Sequence, residues 1–219
     1  MPRGFAGADD GTKMIKQIFY DWGGANTGLF YGINGLRGEF IDGVMVAGSA
    51  LGDHGAFPLY MALVALFGLF NLAAKRRDGL LAFREQVLGW MLVLAVFSAA
   101  HVVDGLLVGW IKQALDFPRP PLALPPGTVN VVGTAEFHHS FPSGHASFAM
   151  VTAASLWPLL GGGGRWGLAL YVLWVGLSRV NLGFHFPADV AAGFLFSLAV
   201  VWILRRLLLA ILARVEARP

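Results

Sequence analysis

The sequence predicts an all-α polytopic membrane helical bundle, with about five transmembrane helices and short interfacial helices at its N-terminal end. Three observations point there. Of 219 residues, 56% are hydrophobic and only 13% charged, against roughly 25% charged in a soluble domain. The mean hydropathy is +0.64. The apolar residues also fall into runs long enough to cross a hydrocarbon core of about 30 Å, which takes about 20 residues of helix. This composition excludes disorder, collagen and coiled coil. With no cysteine, a disulfide framework, a thiolate metal centre and a Cys nucleophile are excluded too. The basic residues flank apolar runs and form no single stripe, so the net charge of +3 reads as membrane-flanking charge and not as a nucleic-acid footprint.

Taken in order, residues 1–55 form an N-terminal amphipathic or interfacial segment. Gly23, Gly24, Gly28, Gly32 and Gly35 interrupt it and argue against a full span, while MIKQIFY (14–20) and FIDGVMVAGSALG (40–52) suit short helices on the membrane surface or against the bundle. No basic stretch followed by an apolar core and a cleavage site is visible, so the mature chain is expected to start near Met1. Residues 56–209 form the transmembrane domain, with spans at 56–74, 87–111, 144–160, 166–182 and 188–209. Gly161 to Gly164 read as a tight turn between the third and fourth spans, and residues 210–219 as a cytoplasmic tail.

Positive charge orients the bundle. Lys75, Arg76, Arg77 and Arg84 fall in one connection, Arg165 in the next on that side, and Arg205, Arg206, Arg214 and Arg218 at the C-terminus. These mark the cytoplasmic face. The N-terminal segment, the 113–142 loop and the 178–187 connection then share the outer face of the membrane.

Chemistry-bearing residues collect on that outer side. KQALDFPRP sets Lys112 and Arg119 beside a proline-rich stretch, which also suits a snorkelling lysine and a loop arginine. In FHHSFPSGHAS, Ser143 is a good N-cap and Gly144 lets a ligand approach unpaired backbone N–H groups, beside His145. A plain capping segment reads the same way, and His138 and His139 read as solvated loop residues. SRVNLGFHFPAD puts Arg179 at the end of one span, His185 in the connection and Asp189 in the next first turn. There the Asp189 carboxylate can accept from one imidazole nitrogen and aim the other outward, or merely cap the helix. Together the clusters gather three cations and two histidines on one leaflet, which is a phosphoryl-transfer constellation. His101 and Asp104, inside the second span, are candidates for function by location but read first as packing partners.

The order K-x6-RP, PSGH, SR-x5-H-x3-D resembles the three-part signature of the type 2 phosphatidic acid phosphatase superfamily. The resemblance implies a metal-independent, cofactor-free, two-step phosphatase acting on a membrane lipid phosphate. His185 would be the nucleophile, forming a phosphohistidine, Asp189 its orienting partner and His145 the acid for the leaving oxygen. Lys112, Arg119, Ser143, Gly144 and Arg179 would cradle the phosphate. A neutral His185 with a charged His145 implies a bell-shaped pH dependence. The five-span layout, LFYGINGL and IDGVMVAGSALGD are similar to the undecaprenyl-diphosphatase branch, although that branch often has Asp where this chain has Gly144. The substrate expected from this branch is undecaprenyl diphosphate. Relatives with PSGH act on phosphatidic acid, phosphatidylglycerol phosphate, diacylglycerol pyrophosphate or lipid A, and a lipid phosphotransferase is a further alternative. A channel or transporter for anions would have no use for the His185 and Asp189 pair. Nothing in the sequence speaks to oligomeric state.

Overall fold

The computed structural model describes residues 20–75 and 80–216, so Arg76, Arg77, Arg218 and most of the 14–20 segment lie outside the described residues. The chain is all-helical there: α1 (Ala25–Asn34), α2 (Glu39–Leu51), α3 (Phe57–Lys75), α4 (Leu80–Leu115), the single turn α5 (Pro120–Ala123), α6 (Gly144–Leu156), α7 (Gly162–Asn181) and α8 (Pro187–Glu216). Three segments are long and apolar enough to cross a membrane, at His54–Ala74, Leu80–Ala123 and Pro187–Val215. The protein is thus a polytopic membrane bundle.

The helix ends differ from the expected spans for identifiable reasons. α4 has 36 residues, about 54 Å at the rise of an α-helix, so it is longer than a bilayer core of about 30 Å, and Lys112 lies in its last turn. α6 is the opposite case, with 13 residues or about 20 Å. It is wrapped by protein on most sides, and its small residues Ala146, Ala149 and Ala153 are buried between neighbours. A helix apolar all round is one that sits inside a core. The break after α6 is not the glycine run. A 3-10 turn at Trp157–Leu159 containing Pro158 ends the helix, and Gly161 then caps α7 while Gly162 to Gly164 form its first turn.

Packing centres on α6. Phe97, Val96 and Ala100 of α4 meet Phe148 and Val151 of α6 and Val201 of α8. Ala149 and Ala153 meet Val172 and Val175 of α7. Close approach of α8 to α6 depends on Gly193, where a Cβ would lie 2.7 Å from the Ser143 carbonyl oxygen. α2 is drawn onto α7 in the same way. A Cβ at Gly48 would lie 2.6 Å from Trp174 Nε1, and that indole N–H donates to the Val44 carbonyl at 3.0 Å. The opposite face of α2 exposes Phe40 and Val46.

Buried amides tie the N-terminal helices to one end of the bundle. Asn34 donates to the carbonyls of Asn130 and Asn181 at 2.7 and 2.8 Å, and Asn181 donates to Ile33 and Leu36 at 2.9 and 2.8 Å. One acceptor, the Asn181 carbonyl, ends α7, where a helix leaves its last carbonyls short of partners. Asn26 accepts from the Ala188 N–H at 2.9 Å, so α1 caps α8 from across the structure. Within α4, Asp104 accepts from Ser197 of α8 at 2.8 Å and His101 stacks on Phe57 with centroids 3.8 Å apart. Both are packing partners.

Candidate active site

The connection from α7 to α8 builds the centre of the site. The N–H groups of Phe184 and His185 both donate to the Arg179 carbonyl, at 3.1 and 3.2 Å, and Gly183 supplies the φ of +83° that the turn requires. Pro187 opens α8, where its missing N–H costs nothing. This short path leaves His185 buried at 2% exposure and Asp189 at 0%.

The Asp189 carboxylate is held from three sides. Oδ1 accepts from the Tyr20 hydroxyl at 2.8 Å. Oδ2 accepts from the Ser140 hydroxyl at 2.6 Å and from the Phe186 N–H at 2.8 Å. The N-terminus of α8 adds its favourable dipole. His185 Nδ1 lies 3.5 Å from Asp189 Oδ2, and its Nε2 lies 3.5 Å from an Arg119 amino group. One imidazole edge therefore faces the carboxylate and the other faces a cation. Burial holds His185 well below the usual histidine pKa, reinforced by Arg119, Arg179 and Lys112 and then by His145, so the ring is neutral near pH 7. Burial pushes the Tyr20 hydroxyl up, followed by the Asp189 charge, which keeps Tyr20 a donor.

The cations are positioned by backbone oxygens and neighbouring side chains. Lys112 Nζ donates to the His139 carbonyl at 2.6 Å. Arg119 donates through Nε to the His138 carbonyl at 2.9 Å and pairs with Glu136 at 2.6 Å. Arg179 donates to the Ser49 hydroxyl at 2.5 Å and lies over the Phe184 ring at 4.2 Å. The Arg179 Nε and the Ser143 hydroxyl are buried and have no hydrogen-bond partner among the described residues. Ser143 occupies the N-cap position of α6, but its side chain makes no capping bond, contrary to the capping role expected of it. Buried polar groups are rarely left unpaired in a folded protein. Together with the first N–H groups of α6, which no helix satisfies internally, these atoms match an anion rich in acceptor oxygens.

His145 follows Gly144 in the first turn of α6, with its ring centroid 6.1 Å from that of His54. A Cβ at Gly144 would lie 3.0 Å from His54 Cε1, so His54 closes that side of the glycine. His138 and His139 are well exposed, at 60% and 50%, beside Asp116. Their side chains are solvated as expected, while their carbonyls anchor Arg119 and Lys112. All eight signature residues gather at the end of the bundle where α4 and α7 finish and α6 and α8 begin. Tyr20, Ser49, His54, Glu136 and Ser140 are the site neighbours that the sequence did not single out. Tyr20, Ser49 and Ser140 did lie within stretches already singled out.

Two buried arginines, a nearby lysine, a neutral imidazole and unpaired donors at a helix start are a set that suits phosphoryl transfer. A family model described as the PAP2 superfamily matches residues 87–212, more than half of the chain, and the chain belongs to that superfamily. It is a membrane lipid phosphatase of this metal-independent class. It is 32% identical over 154 residues to a decaprenylphosphoryl-5-phosphoribose phosphatase of Mycobacterium tuberculosis, covering 69% of this chain and 73% of that one. It is 35% identical over 101 residues to a lipid A 1-phosphatase of Rhizobium etli, covering 43% and 41%. Among solved structures, LpxE of Aquifex aeolicus superposes with a TM-score of 0.65 at 26% identity, over 83% of this chain and 95% of that one. A phosphatidylglycerolphosphate phosphatase of Bacillus subtilis shares the fold, with a TM-score of 0.61 at 20% identity over 89% and 90%.

Proposed function

We propose that the chain hydrolyses a phosphomonoester on a large membrane lipid through a phosphohistidine at His185. The observation that carries this reading is the placement of the His185 ring, with Nδ1 toward Asp189 and Nε2 toward Arg119. A proton on Nδ1, facing the carboxylate, leaves the Nε2 lone pair to attack phosphorus. The P–O bond to the lipid breaks as the N–P bond forms, and His145 delivers a proton to the departing oxygen. Water then attacks the phosphohistidine, with His145 taking its proton, and orthophosphate leaves. Lys112, Arg119 and Arg179, with the Ser143 hydroxyl and the Gly144 N–H, hold the three equatorial oxygens, which is where phosphoryl transfer needs stabilisation.

The relatives are named for decaprenylphosphoryl-5-phosphoribose and for lipid A, which favours a phosphomonoester over the undecaprenyl diphosphate suggested by the N-terminal resemblance. The reading includes five spans, α3, α4, α6, α7 and α8, in the inner membrane with the site on the outer face. It keeps residues 1–55 as an N-terminal interfacial segment, 56–209 as the phosphatase domain and 210–219 as a tail. Phosphate release from lipid A, phosphatidic acid, phosphatidylglycerol phosphate and undecaprenyl diphosphate in detergent micelles ranks the substrates. A phosphomonoester should lead, a chelator should leave turnover intact, and His185→Ala should abolish it. Preferential cleavage of the diphosphate would return the assignment to the polyprenyl branch, and substantial turnover by the variant would remove the mechanism.

A further inference from the structure

We propose that the half of the bundle remote from His185 carries a binding site for one anionic glycerophospholipid, seated in a groove between α6, α7 and α8. The groove encloses about 580 Å³, within the range of ligand pockets. Its walls include Trp157, Leu168, Ala169, Phe194 and Trp202, with Arg205 as a charged wall residue. It is separate from the candidate active site. Arg205 lies about 24 Å beyond Asp189 along α8, at about 1.5 Å per residue. The cluster of Ala146, Val180, Phe186 and Val190, with Phe194 packed against it, stands between the two.

The charge at this end selects the occupant. Arg206 lies 5.5 Å from the Trp202 ring centroid. Arg165 lies 5.7 Å from the Trp157 ring and donates to the Trp157 carbonyl at 3.2 Å. None of Arg165, Arg205 and Arg206 forms an ion pair with a carboxylate among the described residues. Tryptophan beside arginine is the composition of a membrane interface, and here the pairs sit at the end of an apolar slot. An acyl chain fills the slot while a phosphodiester meets Arg205 and its neighbours. A neutral headgroup offers these cations no net charge, and a phosphomonoester bound at His185 enters from the other leaflet.

The test uses the full-length protein purified in mild detergent, with native mass spectrometry counting lipids retained from mixed micelles of equal phosphatidylglycerol and phosphatidylcholine. One phosphatidylglycerol should be retained about fivefold over phosphatidylcholine, the size expected for a basic residue near an anionic headgroup. Arg205→Gln should bring the ratio close to one, and Ala169→Phe should reduce retention of both lipids by filling the slot. Arg214→Gln, a charge change outside the groove, should leave the ratio unchanged. Saturating orthovanadate should not displace the lipid. Equal retention of the two lipids, an unchanged ratio in Arg205→Gln, or displacement by orthovanadate would each overturn the proposal. The last of these would place the lipid in the phosphate site, without bearing on whether His185 is the nucleophile.

Discussion

At the scale of single residues, the proposed mechanism rests on His185 and the carboxylate behind it, 3.5 Å from Nδ1. Asp189→Asn keeps the volume of the side chain but removes the charge that would support an imidazolium-like phosphohistidine. A fall of about 100-fold or more in kcat is expected, read from initial rates of phosphate release. Tyr20→Phe and Ser140→Ala each remove one donor to a buried carboxylate, costing about 1.5–3 kcal/mol in unfolding free energy, with Asp189 left in place. The depressed pKa of His185 fixes the sign of two pH effects. The ring is already neutral at pH 7, so the acid limb of kcat/KM should lie below the ordinary histidine value of about 6.5. Its contribution to stability is present above about 6.5 and is lost as pH falls toward the lower folded-state pKa, because there the unfolded chain binds the extra proton. An acid limb at or above pH 7 would contradict this environment. Glu136 is the remaining lever. It is half exposed and occupies an Arg119 amino group, so Glu136→Gln should tighten inhibition by orthovanadate several-fold, and weaker inhibition would assign Glu136 to holding Arg119 in place.

Helices meet through glycines that the sequence displays but does not explain. Gly193→Val would drive a side chain into the Ser143 carbonyl and the Ser147 hydroxyl, at a cost of about 1–3 kcal/mol. It should therefore reduce activity while leaving helical content intact by circular dichroism; full activity in that variant would show that α6 and α8 can separate without harm. The grouping of the signature residues was legible because they sit at helix ends, where proline, serine and a change in hydropathy mark the boundaries. Lys112, Ser143 and Asp189 each fall at such a boundary. Tyr20 was not legible, since it reaches Asp189 across 169 positions of sequence through a fold that no local pattern encodes. Ser49 and Glu136 were missed for the same reason, as each matters only through the arginine it touches. The glycine run at 161–164 misled because glycine both breaks helices and tolerates their first turn, and Pro158 decided between the two.

On the scale of the whole molecule, the fold brings three stretches separated in sequence to one end of a helical bundle. Membrane burial was legible from hydropathy alone for α3, α4 and α8, which are long and apolar. It was less direct for α6, whose 13 residues are shielded by neighbours and need not match a bilayer. The central claim is that the assembled end forms a covalent intermediate on His185. Rapid acid-free quenching of the enzyme during turnover of a lipid carrying radiolabelled phosphate, followed by peptide mapping, tests it most directly. The account predicts label that is stable to base, labile to acid, confined to the peptide containing His185, and missing in His185→Ala. Label on another residue, or steady turnover with no labelled protein at any quench time, would contradict it.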